Sequence, residues 1–490
     1  MKQTSIARLL WPLVICAVAT LIFLIRLHGG TDLESYGQPA TIGRLLDLTT
    51  QGHYFVQRDL NGDMMVAPPF HTWLIAASTA LFGAHRAALA LPSFLSVLAI
   101  GLLLFAAGRR HFGEAAGGLA AIAFLLSPAT AKQIALVSAD PVFALAVTAA
   151  ALAASAAVNT GADDVNAGRH WRLFWFASAL ATLAASVLGL LLAASGLLRC
   201  LWDKASDHHR PKVCRPAIAG FSLFVAPLLL WILPAVFDEG LGPVSRMLLP
   251  ATASWEFGAL LKPFTTLFAR NLPFSLFAFF ALWRIMRRPA AGTEERNFER
   301  FLAFGLTGGL LAVSFGAASG IDPVFALWPP GTLLAGHEMA RLADRMGRTK
   351  FAGVAVIVAC LLVGATYNAV HSIGPAKLGT SVLAKELRLA ADAESAASAL
   401  KASGIDIHAL THLNTPETLQ FYLGTFSPRI DRTRLVELLA TRDMPLDLVT
   451  DGTGLKDIAG VSDFPNTQRI FRWPADESLA PAVQVYRIAR

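Results

Sequence analysis

The chain has 490 residues, of which 54% are hydrophobic and only 15% charged, and its mean hydropathy is +0.53. Soluble domains carry about 25% charged residues, so the composition excludes a soluble globular protein and places the chain in a membrane. The net charge of +7 would suit nucleic acid, but most basic residues stand in short loops between apolar runs, the pattern of cytoplasmic loops, which argues against a nucleic-acid partner.

The four cysteines, Cys16, Cys200, Cys214 and Cys360, form no CxxC pair and avoid the C-terminal polar region. Neither a disulfide framework nor a zinc site is expected. Lys2 and Arg8 introduce a first apolar run, residues 9–27. Further apolar runs follow it, so it reads as an uncleaved span with its basic start in the cytoplasm rather than as a signal peptide. A polar stretch, residues 29–74, then begins on the far side, with Asp32 and Glu34 just beyond the span. Carboxylates at a membrane face are costly without a task or a partner.

Residues 69–83 are apolar but too short to span, and read as a helix at or re-entering the outer surface. Spans are expected over 89–107, 115–126 and 141–158, and the run 171–201, too long for one span, is split near Ser186. Residues 216–237, 272–286, 301–318, 324–339 and 351–370 bring the total to about eleven. Residues 238–271 read as a second large outer segment and 284–300 as a strongly basic inner loop, while the spans look nearly free of charge. His208-His209, in the basic inner loop 199–215, reads as solvated because no ligand-spaced partner is near. An odd span count puts the C-terminal region on the same side as Asp32.

From about residue 371 the pattern becomes that of a soluble domain. Helices are expected over 382–400 and 416–423, and short strands over 407–411, 434–440, 446–450 and 483–488. The expected organisation is a polytopic α-helical membrane domain, residues 1–370, with its first outer loop over 28–88. A small outer α/β domain, residues 371–490, follows.

An ordered set of short motifs carries a family resemblance. It runs Asp32-Leu33-Glu34-Ser35-Tyr36, Gly52-His53-Tyr54, Leu60-Asn61-Gly62 and Pro68-Pro69-Phe70 with Trp73-Leu74. Leu81-Phe82-Gly83, Leu91-Pro92-Ser93, Gly108-Arg109-Arg110 with Phe112-Gly113, Ser127-Pro128, Asp140-Pro141 and Leu419-Gln420-Phe421-Tyr422-Leu423-Gly424 follow. The chain resembles the integral-membrane glycosyltransferases of the GT-C fold, in the branch of protein O-mannosyltransferases and the lipid A aminoarabinose transferase. The resemblance implies a sugar donor carried on polyprenyl phosphate in the bilayer. The acceptor would be a hydroxyl or a phosphate of lipid A, lipopolysaccharide core, another glycolipid or a protein, and the transfer inverting. It also implies a bacterial inner membrane with the active site and C-terminal domain in the periplasm, and no cofactor, a divalent cation remaining open.

In the family the proton acceptor is an Asp four residues before a Tyr, a spacing matched by Asp32 and Tyr36. The family's neighbouring Glu falls on Leu33, which leaves Glu34 one residue displaced. A partly desolvated carboxylate is a stronger base, and the leaving phosphate needs positive charge or oriented N–H groups. The family's Lys before Pro-Pro is here Ala67, and its Arg before Leu-Pro-Ser is Ala90. Donor-phosphate binding then falls to Arg58, Lys132, Arg246, Lys262 and Arg270, with Tyr36, His53 and His71 beside them. Asp140 reads from sequence as a helix N-cap before Pro141, and the resemblance makes it a second acidic residue lining the pocket.

Two other classes compete. A transporter or flippase for a lipid-linked substrate should show ionisable groups within its spans and broken helices at midplane. A membrane assembly factor would have no use for so long a polar stretch after its first span.

Overall fold

The structure, a computed structural model, describes residues 3–27, 38–65, 67–159, 165–200, 220–249, 251–252, 257–288, 290–317, 322–372, 393–413, 415, 417–427, 430, 434–435, 437–438, 445–451, 466–475 and 483–489. A backbone crossing hydrocarbon must satisfy its N–H and C=O groups within its own segment. Among the described residues each run read as a span accordingly carries a helix. The helices are α1 (Gln3–Leu27), α2 (Gln38–Leu46), α3 (Phe70–Phe82), α4 (Arg86–Phe112), α5 (Glu114–Leu126), α6 (Pro128–Gln133), α7 (Asp140–Asn159), α8 (Val165–Ala184) and α9 (Leu188–Ala194). They continue with α10 (Ser222–Glu239), α11 (Leu241–Leu248), α12 (Phe257–Arg270), α13 (Phe274–Arg287), α14 (Thr293–Phe315), α15 (Trp328–Met346) and α16 (Arg348–Ser372). Among the described residues, six are long and apolar enough to cross a membrane: α1, α4, α7, α10, α14 and α16. The break between α8 and α9 falls at residues 185–187, where the split was expected. Residues 238–271, expected to form an outer segment, carry α11 and all of α12.

The chain divides into two compact units. One comprises residues 1–26, 66–71 and 90–367; the other comprises 27–65, 72–89 and 368–490. In the first unit, α5 packs on α15 and α7 on α8. Helices in lipid gain little hydrophobic drive from one another, so they associate through small residues that allow close approach. A Cβ on Gly117 of α5 would stand 2.5 Å from the Phe105 carbonyl oxygen of α4, and one on Gly336 of α15 would stand 2.6 Å from the Ala120 backbone N.

Two expectations about charge are corrected. Residues 284–300, expected to form a basic inner loop, are mostly helix, because Arg284 lies in α13 and Glu299 in α14. The spans are also not free of charge: Glu299 is fully buried, and Arg284 donates to both Glu299 and Glu338. A buried carboxylate survives only with such partners. These pairs form between helices 54 and 15 positions apart in sequence, which a reading of single runs does not reveal.

In the second unit, α17 (residues 393–402) buries Ala393, Ala396, Ala397 and Leu400, a helical stripe. Residues 382–392 of the expected helix lie outside the described residues. Besides a two-residue antiparallel pair in the first unit, β1 (Ala251–Thr252) and β2 (Gly316–Ala317), the second unit holds a four-stranded sheet in the order β3 (Thr411–Leu413), β4 (Leu446–Asp451), β6 (Val483–Ala489), β5 (Asn466–Trp473). β3 runs parallel to β4, and the other pairings are antiparallel. The sheet and its neighbours enclose Leu413, Leu435, Leu446, Leu448 and Ile488. The strand expected over 407–411 starts only at Thr411, since Asp406 accepts the His408 N–H at 3.0 Å and ties the preceding residues into a turn. Residues 434–435 and 437–438, expected in a strand, are helical, with an Arg434–Glu437 ion pair one turn apart. α18 (Glu417–Leu423) is buried along its length and packs on α2. The Leu419–Gly424 motif thereby fastens the C-terminal region to the first polar loop.

The glycine contacts give a stability test. Gly117→Val should cost about 1–3 kcal/mol by overpacking, read as a lower midpoint of thermal unfolding in detergent. Gly353→Ala, in the interior of α16 where a Cβ would meet nothing within 4 Å, should not lower the midpoint and, by helix propensity, should raise it slightly. Equal effects of the two would contradict this packing.

Candidate functional site

The polar end of the first unit is built around Asp140. Its carboxylate is buried at the start of α7. Its Oδ2 accepts from Gln133 Nε2 at 2.8 Å, and its Oδ1 from the backbone N–H of Asp322, also at 2.8 Å. Its own N–H donates to Ser138 Oγ at 3.1 Å. The side chain is thus not a cap on its own helix: it ties α6 and the turn at residue 322 to α7. Asp322, held in this way, accepts from Arg270 at the end of α12 and also receives the Val324 N–H at 3.2 Å.

Beneath Arg270, α12 contributes Leu267 and Phe268 to an apolar cavity of about 380 Å³. Phe279, Leu306, Leu310 and Trp328 line its other sides. Trp328 is fixed by donation from its indole Nε1 to Ser127 Oγ at 3.0 Å. Ser127 also donates to the Phe124 carbonyl, and Ser93 of the Leu-Pro-Ser motif donates to the Leu136 carbonyl. These two motif serines are therefore braces that hold the segment leading to Asp140 and the tryptophan wall of the cavity.

In the second unit a buried carboxylate organises the first polar loop. Asp47 begins a π-helical turn, Asp47–Gln51, of a kind found mostly at functional sites. Gly52 follows at φ +77° and reverses the chain. Asp47 Oδ1 then meets His53 Nδ1 at 2.9 Å, and Oδ2 accepts the Arg58 backbone N–H at 2.9 Å. His53 is exposed, so its Nε2 edge faces solvent. Asp59 accepts the N–H groups of Asn61 and Asp63, both at 2.9 Å, closing the Leu60-Asn61-Gly62 motif as a turn. Burial lowers the Arg44 guanidinium from its usual value, and the charge of Asp59 partly offsets this.

The expected site residues are distributed as follows. Asp32, Glu34 and Tyr36 lie outside the described residues, as do His208 and His209. His53 and Arg58 share Asp47. His71 is buried in the first turn of α3. Lys132 is half-buried in α6, directly before Gln133. Arg246 and Lys262 are exposed on α11 and α12. Arg270 and Asp140 are joined through Asp322. Sequence reading passed over Asp322, Gln133 and Asp47. One signal was available for Asp322, because Asp322-Pro323 repeats the Asp-Pro dipeptide of Asp140-Pro141.

Comparison with known proteins gives the fold its name. Residues 66–231 match the family model of dolichyl-phosphate-mannose-protein mannosyltransferase. The chain is similar in structure to ArnT from Cupriavidus metallidurans bound to undecaprenyl phosphate, with 16% identity over 97% of this chain and 98% of that one and a TM-score of 0.70. It is equally similar to the apo state of ArnT from Cupriavidus metallidurans, with 17% identity over 98% of each chain and a TM-score of 0.71. Among curated proteins none matches in sequence. The architecture is the GT-C fold, as the motifs led one to expect.

Asp140→Asn keeps the shape but turns an amide N–H₂ toward one of two donors. It should destabilise the protein by about 1–3 kcal/mol, the usual cost of a buried donor left unmet. Gln133→Ala removes one donor only and should cost less. A thermal midpoint for Asp140→Asn equal to wild type would show that the carboxylate does not hold the turn at Asp322.

Proposed function

We propose that the chain is a glycosyltransferase that moves a sugar from a polyprenyl-phosphate donor to a hydroxyl of an acceptor at the periplasmic face of a bacterial inner membrane. The observation that carries this reading is the pairing, within one unit, of an apolar cavity with a charged cluster at the end of its wall helix. Such a pairing suits a ligand with a hydrocarbon tail and an anionic head. The similarity to a protein solved with undecaprenyl phosphate supports the same reading.

The donor's tail enters the cavity among Leu267, Phe268, Phe279 and Leu310. Its phosphate approaches Arg270. A guanidinium has five N–H donors, so one carboxylate partner leaves several for a phosphate. The loss of the family's lysine at Ala67 makes this cation, with Lys132, the natural replacement. The acceptor oxygen attacks the anomeric carbon, its proton passes to Asp32, and the bond from that carbon to the phosphate oxygen breaks. The polyprenyl phosphate leaves with its new charge balanced by the neighbouring cations. Attack opposite to the leaving phosphate inverts the anomeric centre.

The test is transfer of labelled sugar from polyprenyl phosphate in proteoliposomes. Asp32→Asn should lower transfer by about a hundredfold or more at equal protein level, the range of a lost general base. Glu34→Gln should do less. Arg270→Ala should raise the donor KM by about tenfold through loss of a charge-assisted contact. Near-normal transfer by Asp32→Asn would remove Asp32 as the base. An unchanged donor KM in Arg270→Ala would move the phosphate away from this cluster.

A further inference from the structure

Toward the other end of the helices that line the cavity stands a second cluster, apart from the proposed donor site. Glu295 and Glu299 stand one turn apart on α14, on one face, and His337 of α15 faces them. His337 Nε2 lies 3.2 Å from Glu295 Oε1 and 3.3 Å from Glu299 Oε1. The imidazole is more than nine-tenths buried, its plane is stacked on Phe112 at 4.3 Å, and Nε2 makes a well-formed hydrogen bond to neither oxygen. A donor nitrogen this close to two carboxylates yet aligned with neither points to a shared central partner.

We propose that Glu295, Glu299 and His337 bind one divalent transition-metal ion, zinc by the nature of the donors. The three ligand atoms lie within 4.8 Å of one another. Tetrahedral zinc with bonds of about 2.0–2.2 Å to imidazole nitrogen and carboxylate oxygen has ligand-to-ligand edges of about 3.4 Å, and the two His337 distances match that edge. The charge also fits. Arg284 pairs with Glu338 as well as with Glu299, so one positive charge answers one of three carboxylates. A divalent ion adds the positive charge that this group of three carboxylates draws together. The fourth position is left to water. The ion fastens α14 to α15, and Arg284 fastens α13 to both, so the metal acts as a clamp across the helices that line the cavity.

The experiment uses the full chain without an affinity tag, with His208 and His209 replaced by Ala in every sample so that this pair contributes no zinc. Protein stripped with a chelator is titrated with zinc chloride, and with manganese and magnesium for comparison. Bound metal and thermal midpoint are both read. The parent should retain about one zinc per chain after dialysis and melt higher with zinc than without it. Glu295→Gln changes a half-exposed residue and should keep the zinc-free midpoint, lose the zinc-dependent rise, and weaken binding at least tenfold. His337→Ala should likewise abolish retention. Zinc retention no greater than that of the Glu295→Gln, His337→Ala double variant would overturn the proposal. In that case the cluster is a network of side-chain contacts among Glu295, Glu299, His337 and Arg284 that holds the helices without a metal.

Discussion

A carboxylate buried in an apolar helical body costs several kcal/mol unless donors meet it. Asp140 is met by two, and one of them is a backbone N–H 182 residues away. That single bond sets the turn at Asp322. Because the turn is set, the Asp322 carboxylate faces Arg270 and receives the Val324 N–H, and the chain enters α15 with Trp328 placed against Ser127. The polar end of the cavity and one of its walls therefore depend on the same side chain. Fixing a phosphate-sized target to within ångströms needs positions locked by packing and hydrogen bonds, and the cluster has both.

The second unit repeats the device. Asp47, almost fully buried, gathers the His53 ring and the Arg58 backbone, while α18 packs on α2 from the C-terminal side. Several residues of the motif set prove to be scaffold. Ser93 and Ser127 brace the first unit, and Gln420 of the C-terminal motif brackets Ser427 through both its amide groups at 2.8–2.9 Å. Motifs of this kind keep their order along the chain because they hold a fold together, which explains why they signalled the architecture clearly. Two positions where the resemblance implies a cation, Ala67 and Ala90, are alanine here.

What could be read from sequence follows from the range of each interaction. Apolar runs report themselves, since burial in lipid demands about twenty apolar residues in succession, and so helices lie over the expected runs, six of them among the described residues long and apolar enough to cross against about eleven spans expected. The break near Ser186 was legible from length alone. Interactions between distant helices were not: the partners of Glu299 and Asp140 lie on other elements, and no local pattern marks them. The late start of β3 turned on one Asx turn at Asp406. β5, reading Asn-Thr-Gln-Arg-Ile-Phe-Arg-Trp, lacks the alternation that marks a half-buried strand. Among the site residues, Asp140 and Arg270 are legible in the sequence as candidates, whereas Asp322, which joins them, is not.

A transferase and a flippase would both need a lipid-shaped cavity and a cationic end, and they differ in whether a bond breaks. The most direct measurement follows the donor itself. Purified protein in proteoliposomes is given polyprenyl-phosphate sugar and a panel of lipid and protein acceptors, and all lipid products are resolved by mass spectrometry. The account predicts free polyprenyl phosphate appearing in step with glycosylated acceptor, and only when an acceptor is present. Intact donor moved to the opposite leaflet, with no free polyprenyl phosphate formed for any acceptor, would contradict it.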